Sequence, residues 1–419
     1  MFEKLKYFFL IWWYASQSQT QTHRNLKSTH KQPKPKNRKL KMQPFVNVTS
    51  KGVELRYGNE GFIARTPEEV PAIVAKKGAA ILIDAITPEE CDAFREGMLR
   101  SAEQLTARLE TPFKRDDPST YGSIFKLAPN HGGLFQHHQW GHIQEVWDLR
   151  QNPKLAAAYA VFHECEIDDL LTSFDGVNFS AGALMPGRKR GQFRGNCWRH
   201  LDQRAGDSTK LCLQSWVTAN PIGVGDATLR FMEGGHLYHR EFAETFGLTE
   251  STVDWTQLKP EHVAWFESKG CKDTCMTAPA GSQVFWESRT PHSGIEFIAD
   301  EDRPDPEAPK SIRMVAYLCY EPRSGPVLPE GHPDTGKATK GLLKILSKRQ
   351  RIMNPDDPWF LRLASHWPNK MKLFGKNPRS YGAEPPKEAT DPNDFWSFVP
   401  PIAGVPELTD FGRRIAGLE

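Results

Sequence analysis

The chain has 419 residues, of which 38% are hydrophobic, 25% charged and 11% aromatic, enough apolar material for a core and too much for a wholly disordered chain. Seven cysteines are too few for a disulfide scaffold, and 32 prolines with 32 glycines favour a turn-rich, strand-containing protein over a helical bundle. Ten of the 54 bases but only one of the 51 acids fall in residues 1–42, so the net charge of +3 divides into a basic tail and a mildly acidic body, which does not suit a nucleic-acid footprint on that body.

Residues 1–42 read as a separate unit. Lys4 and Lys6 precede the apolar run from Tyr7 to Ala15; a Ser/Gln/Thr stretch and a Lys/Pro-rich stretch follow. A basic start, an apolar centre and small residues suit a secretory signal or a transit peptide. An upstream extension, with Met42 as the functional start, is the third reading, and the compartment stays open between cytoplasm and an organelle. The apolar run is about half of what spans a bilayer, so no transmembrane helix is expected.

Residues 67–77 are helix-like, with Thr66 as the cap, although Pro71 falls inside. Residues 79–84 spell a short buried strand. Thr87, Pro88 and Glu90 then mark a helix start, with a capping threonine, a proline in the first turn and a glutamate three residues after the cap. That helix is expected to reach about Leu109, with Cys91, Phe94, Met98 and Leu105 near helical spacing. A second helical stretch, 143–164, should break at Pro153. The texture then changes. Residues 177–180, 211–219, 228–232, 282–286 and 312–320 are strand-length segments bounded by Gly, Pro, Asn or Asp. A helical lead-in followed by many short strands predicts an α+β fold on a sandwich or barrel of antiparallel strands. Beyond residue 325 the chain is richer in Pro and Lys, with one helix expected over 337–351. Trp359, Trp367, Phe374 and Trp396 argue against simple disorder, so residues 326–419 are expected to be an extension packed on a core domain of residues 43–325.

The sharpest local feature is the run Trp198, Arg199, His200, Leu201, Asp202. In an extended strand, positions i and i+2 point to one face, so His200 and Asp202 can offer an imidazole nitrogen and a carboxylate oxygen to one point. With a distant histidine they would form the two-His, one-carboxylate set that holds non-haem Fe(II) with open positions. Open positions matter because an organic cosubstrate and dioxygen must both reach the metal. About 90 residues on, a strand runs into Pro291, His292, Ser293 and Gly294, a turn able to aim His292 inward. Arg313 follows on a strand; pointing inward, it would be an unpaired buried charge unless it met an anion, such as the terminal carboxylate of 2-oxoglutarate.

This ordered set resembles the phytanoyl-CoA dioxygenase family of Fe(II)/2-oxoglutarate oxygenases. Residues 77–82 (KGAAIL) and 87–91 (TPEEC) are similar to that family's opening strand and helix, and residues 225–236 (GDATLRFMEGGH) to its glycine-bounded strand. The likeness spans roughly residues 65–325. It implies a double-stranded β-helix, or jelly roll, with flanking helices. It implies His200, Asp202 and His292 as metal ligands and catalytic centre, and Arg313 as the cosubstrate-binding arginine. It further implies a hydroxylase that consumes 2-oxoglutarate and O2, releases succinate and CO2, and acts on a small or medium-sized organic substrate. Because Asp202 is a carboxylate, no ligand position is vacated for halide, and hydroxylation is favoured over halogenation. Two departures stand out. The interval from His292 to Arg313 is long and carries an acidic, proline-rich insert at 300–307, and the last 90 or so residues have no counterpart. A jelly-roll binding protein without turnover, and a cupin-like metalloenzyme that does not use 2-oxoglutarate, are the alternatives.

Other residue groups have plainer readings. His137, His138 and His142 suit substrate contact or surface, and His236 and His239 a structural role. Cys271 and Cys275 lack the second pair that structural zinc needs, and Cys197 suits packing near the pocket. Arg188, Lys189, Arg190 and Arg194 are either a solvated loop or a contact for an anionic substrate. Trp198, Trp216 and Trp286 suit the core, with pocket lining as the alternative. The oligomeric state is not legible.

Overall fold

The computed structural model describes residues 42–127, 133–185, 198–207, 212–325, 338–374 and 399–419. Its strands are β1 Val46–Ser50, β2 Val53–Gly58, β3 Ile63–Ala64, β4 Ala79–Leu82, β5 Leu134–Phe135, β6 Leu170–Thr172, β7 Val177–Ser180, β8 His200–Leu201, β9 Leu213–Thr218, β10 Thr228–Glu233, β11 Thr256–Gln257, β12 Lys272–Met276, β13 Gln283–Glu287, β14 His292–Ile295 and β15 Arg313–Pro322. The α-helices are α1 Val70–Lys77, α2 Pro88–Thr106, α3 Gln144–Arg150, α4 Pro153–His163, α5 His239–Thr245, α6 Pro260–Ser268, α7 Ala338–Met353 and α8 Asp410–Ala416.

The strands form two sheets in an α+β arrangement. One has the order β1-β2-β12-β10-β14-β8-β11, the other β3-β4-β13-β9-β15-β7-β5, with β6 paired onto β15. From β7 onward the chain crosses repeatedly between sheets: β7, β9, β13 and β15 lie in one, β8, β10, β12 and β14 in the other.

Sequence pattern explains the layering. Along β15, Met314, Ala316, Leu318 and Tyr320 join a core cluster with Phe94, Met98, Leu155 and Tyr159 of the helices. Val315, on the opposite face, packs with Trp216, Phe231, Val284 and Trp286 from both sheets. The period of two thus serves two cores, and both faces of the strand are apolar because both are covered. Within the helix-side core, the Tyr159 hydroxyl donates to Leu318 O at 2.8 Å and lies 2.8 Å from Ser215 Oγ, from which it can accept. The buried phenol is thereby satisfied, as a polar group in such a core must be.

The start of α2 follows the sequence closely. Thr87 Oγ1 accepts from the Glu90 amide at 3.2 Å, and Glu90 Oε2 accepts from the Thr87 amide at 2.7 Å, a capping box worth about 1 kcal/mol. Two expectations change. Thr66 makes no side-chain cap; residues Pro67–Glu69 form a 3-10 turn, and α1 begins at Val70 with Pro71 in its first turn, where a missing amide hydrogen costs nothing. Helix α2 stops at Thr106 rather than about Leu109. The Thr106 hydroxyl donates to Ala102 O at 2.8 Å and accepts from the Phe113 amide at 2.9 Å, turning the chain back.

The acidic insert after His292 is pinned rather than loose. Arg303, 5% exposed, donates to Gly225 O at 2.9 Å and to Asp226 Oδ1 at 3.1 Å, and Ser50 Oγ donates to Asp302 Oδ2 at 2.6 Å. The described carboxyl-terminal residues pack too: Ile352, Met353, Leu361, Met371 and Ala416 share a core with Trp147 and Phe174. Arg349 of α7, fully buried, donates to the carbonyls of Thr172 at 2.6 Å, Pro368 at 3.2 Å and Ala416 at 3.3 Å. No helix among the described residues is long and apolar enough to cross a membrane.

Candidate metal centre

Strand β8 is only two residues long, yet it sets the site. His200 pairs with His292 across β8 and β14, and the Asp202 amide donates to Ser288 O at 3.1 Å. The i, i+2 spacing then brings both side chains to one side. His200 Nε2 lies 3.2 Å from Asp202 Oδ1, and His292 Nε2 lies 3.3 Å from Asp202 Oδ2. One potential ligand atom from each of the three falls within 4.8 Å of the others, a group of a kind that recurs nowhere else among the described residues.

Hydrogen bonding fixes which nitrogens face inward. His200 Nδ1 lies 3.2 Å from Trp198 O, and His292 Nδ1 lies 2.8 Å from Thr290 O. A carbonyl only accepts, so each ring carries its proton on Nδ1 and turns Nε2 to the centre. For His292 there is a second witness. The Trp286 indole N–H, which can only donate, reaches His292 Nε2 at 3.1 Å, so that nitrogen bears a lone pair. Its 3.3 Å approach to the Asp202 carboxylate therefore sets two acceptors face to face, an arrangement that a cation between them would reconcile.

The electrostatics agree with that picture. Burial works to raise Asp202, but the two imidazoles beside it, His200 first, hold its carboxyl well below the usual range. Burial, and then His200, hold the His292 imidazole below its ordinary value, in the neutral form that ligates metals. Gln214 of β9 donates to Asp202 Oδ2 at 3.1 Å and to Ser288 Oγ at 3.0 Å, fixing the carboxylate from behind. Trp198 stacks on His200 at 4.7 Å and 14°, and Trp255, 43% exposed, lies 5.7 Å from the same ring.

Arg313 opens β15, half-buried. Its guanidinium carbon lies 5.4 Å from the Trp216 ring centroid, and its Nε is buried without a hydrogen-bond partner among the described residues. It lines a small pocket with Asn220, Asp226, Phe297 and Ser311; none of the three histidine and aspartate residues above lines it.

The remaining sequence candidates are structural where described. His138 and His142 turn Nε2 to the carbonyls of Leu127 and Arg362, and His236 to Ala75 O at 3.0 Å. His239, Cys271 and Cys275 are buried. Trp216 and Trp286 belong to the inter-sheet core, whereas Trp198 flanks the site. Arg188, Lys189, Arg190, Arg194 and Cys197 lie outside the described residues, as do residues 1–41 and Trp396. Sequence reasoning did not single out Gln214, Trp255 or His366. Gln214 had one legible sign, a polar residue among apolar neighbours on a buried strand.

No family model matches the chain. Among curated proteins it is similar to the Ava biosynthesis cluster protein O of Aspergillus versicolor, with 25% identity over 257 residues, 59% of this chain and 75% of that protein. Among solved structures it is similar to the epimerase SnoN, crystallised with Fe3+, alpha ketoglutarate and nogalamycin RO, at 15% identity, 64% of this chain, 92% of that chain and a TM-score of 0.37. It is also similar to EvdO2 from Micromonospora carbonacea var. aurantiaca complexed with 2-oxoglutarate (18% identity, 63% and 94% covered, TM-score 0.35) and to GlcNAc Inducible Gene 2 from Candida albicans (14% identity, 68% and 67% covered, TM-score 0.41).

Proposed function

We propose that this chain is an Fe(II)/2-oxoglutarate-dependent dioxygenase that hydroxylates a C–H bond of a small or medium-sized organic substrate. The observation that carries the reading is the contact of His292 Nε2 with the Asp202 carboxylate, acceptor against acceptor at 3.3 Å. Two imidazoles and one carboxylate are the donor set of non-haem Fe(II) with open positions, so the residues present fit that metal. We read residues 43–325 as the catalytic domain and the alternation of β7 to β15 between sheets as a double-stranded β-helix.

When bound, iron with 2-oxoglutarate and O2 supplies oxygen transfer coupled to release of succinate and CO2. The chain's own part is placement. His200, Asp202 and His292 hold the metal; the carbonyls of Trp198 and Thr290 and the amide of Gln214 hold those three. Arg313, with no carboxylate paired to it among the described residues, receives the distal carboxylate of 2-oxoglutarate in a two-pronged bond. Asp202 leaves no ligand position for halide, which favours hydroxylation. Similarity to a biosynthesis cluster protein supports a small organic molecule as substrate.

The test is succinate formation from 2-oxoglutarate with added Fe(II), compared between the native protein and His200→Ala. The native protein should turn over and the variant should lose at least about 100-fold, the several kcal/mol of a lost metal ligand. Equal turnover by both overturns the reading.

A further inference from the structure

The carboxyl-terminal extension packs against the strands beside the metal centre. Residues 363–374 fold back on themselves, with the Ser365 amide on Lys372 O at 2.9 Å and the Phe374 amide on Leu363 O at 3.0 Å. This loop is fastened to the body at three points: the Ala364 amide to Phe174 O at 2.8 Å, Arg349 to Pro368 O at 3.2 Å, and the Asn369 amide to Glu321 Oε2 at 3.3 Å. Trp367, 5% exposed, packs on Cys212 and Cys319. Cys319 is the ladder partner of Gln214, the residue that holds Asp202. On its other side the loop joins the His200 flank, because Lys370 Nζ meets Asp254 Oδ2 at 2.8 Å, next to Trp255. The loop thus runs from the Asp202 side of the centre to the His200 side.

His366 sits within this span, its ring 5.3 Å from that of Trp367. Its Nε2 is buried with no hydrogen-bond partner among the described residues, although buried polar atoms are nearly always paired. Burial pushes its imidazole down to about 4, and Asp202, His292 and His200 are among the charges that act on it. A neutral imidazole can donate or accept through Nε2 according to tautomer. His366 is not one of the three converging ligand residues, so a fourth ligand is not the reading.

We propose that His366 is a further residue of the metal site, one that hydrogen-bonds the exogenous molecule filling an open coordination position. This rests on the metal reading given under Proposed function, but not on 2-oxoglutarate. The probe is therefore nitric oxide on anaerobic Fe(II)-loaded protein, read by electron paramagnetic resonance. Four proteins are compared: native, His366→Ala, His366→Asn, and Lys372→Ala as an exposed control on the same loop. Iron content should be equal in all four. His366→Ala should shift the signal and weaken nitric oxide binding about tenfold, the loss of one hydrogen bond. His366→Asn should restore part of both, and Lys372→Ala should match the native protein. An unchanged signal and affinity in His366→Ala overturns the proposal while leaving the metal site standing. If native protein retains no iron, both readings fall. If iron is held but 2-oxoglutarate leaves the signal unmoved, the cosubstrate reading falls and the His366 comparison still decides. Should His366→Ala fail to fold, His366→Asn decides: a shifted signal and a nitric oxide affinity below native, with Lys372→Ala unchanged, support the role, and native signal and affinity overturn it.

Discussion

The indole nitrogen of Trp286 lies 3.1 Å from Nε2 of His292, so an N–H bond engages the lone pair that a metal ion would use. One lone pair serves one partner. Loading the site must therefore cost this hydrogen bond, about 0.5–1.5 kcal/mol. Trp286→Phe is expected to bind Fe(II) or Co(II) up to about tenfold more tightly, and to lose part of the change in tryptophan emission that metal causes in the native protein. Identical emission changes in both proteins would show that Trp286 keeps its place when metal enters.

Gln214 holds Asp202 at Oδ2 and is itself held by Ser288. Replacing it by Leu keeps the bulk and removes the bond. Metal affinity should fall about 10–100-fold, the usual cost of losing an outer partner of a ligand, with the unfolding midpoint of the metal-free protein moved far less. Competition against a chelator measures it.

Arg313→Gln should leave iron binding intact and weaken 2-oxoglutarate binding about 100-fold, corresponding to roughly 3 kcal/mol for a charge-assisted pair in a partly buried site. Calorimetric titration of 2-oxoglutarate into metal-loaded protein is the measurement. An unaltered affinity would send the cosubstrate's distal carboxylate elsewhere and favour a metalloenzyme that does without it.

Glu321 gives a pH dependence with a definite sign. Burial pushes its carboxyl from an ordinary 4.5 up to about 7. Between those values the folded protein keeps a proton that the unfolded chain has released, so this contribution is present at low pH and is lost as pH rises to about 7. Glu321→Gln removes the ionisation and can still accept from the Asn369 amide. It should be more stable than native protein at pH 8 by about 1–3 kcal/mol and nearly equal to it at pH 4.5. Parallel denaturant titrations at the two pH values test this, and a constant difference would count against it.

What could be read in advance was local. Thr87, Pro88 and Glu90 are neighbours, and their chemistry closes within one turn. His200 and Asp202 share a face because any strand has a period of two, and the apolar runs of β9, β13 and β15 announce strands covered on both sides. What could not be read was produced by packing across long separations. The loop that carries His366 meets the strand of Gln214 only because Trp367 finds Cys212 and Cys319, and no periodicity in residues 363–374 signals that meeting. The acidic, proline-rich composition of the insert carries no sign of the burial of Arg303 against Asp226 that fastens it. Thr66 has the right type for a cap, but a 3-10 turn intervened.

The hairpin of β1 and β2 also has a protective side. It is the last layer on one margin of its sheet, and β2 runs parallel to β12 through Tyr57 and Gly58. Were it peeled away, the backbone amides and carbonyls along β12 would face open water, a template on which another molecule could add a strand. The hairpin, remote from the metal centre, thus covers the amides and carbonyls of β12 that would otherwise lie open.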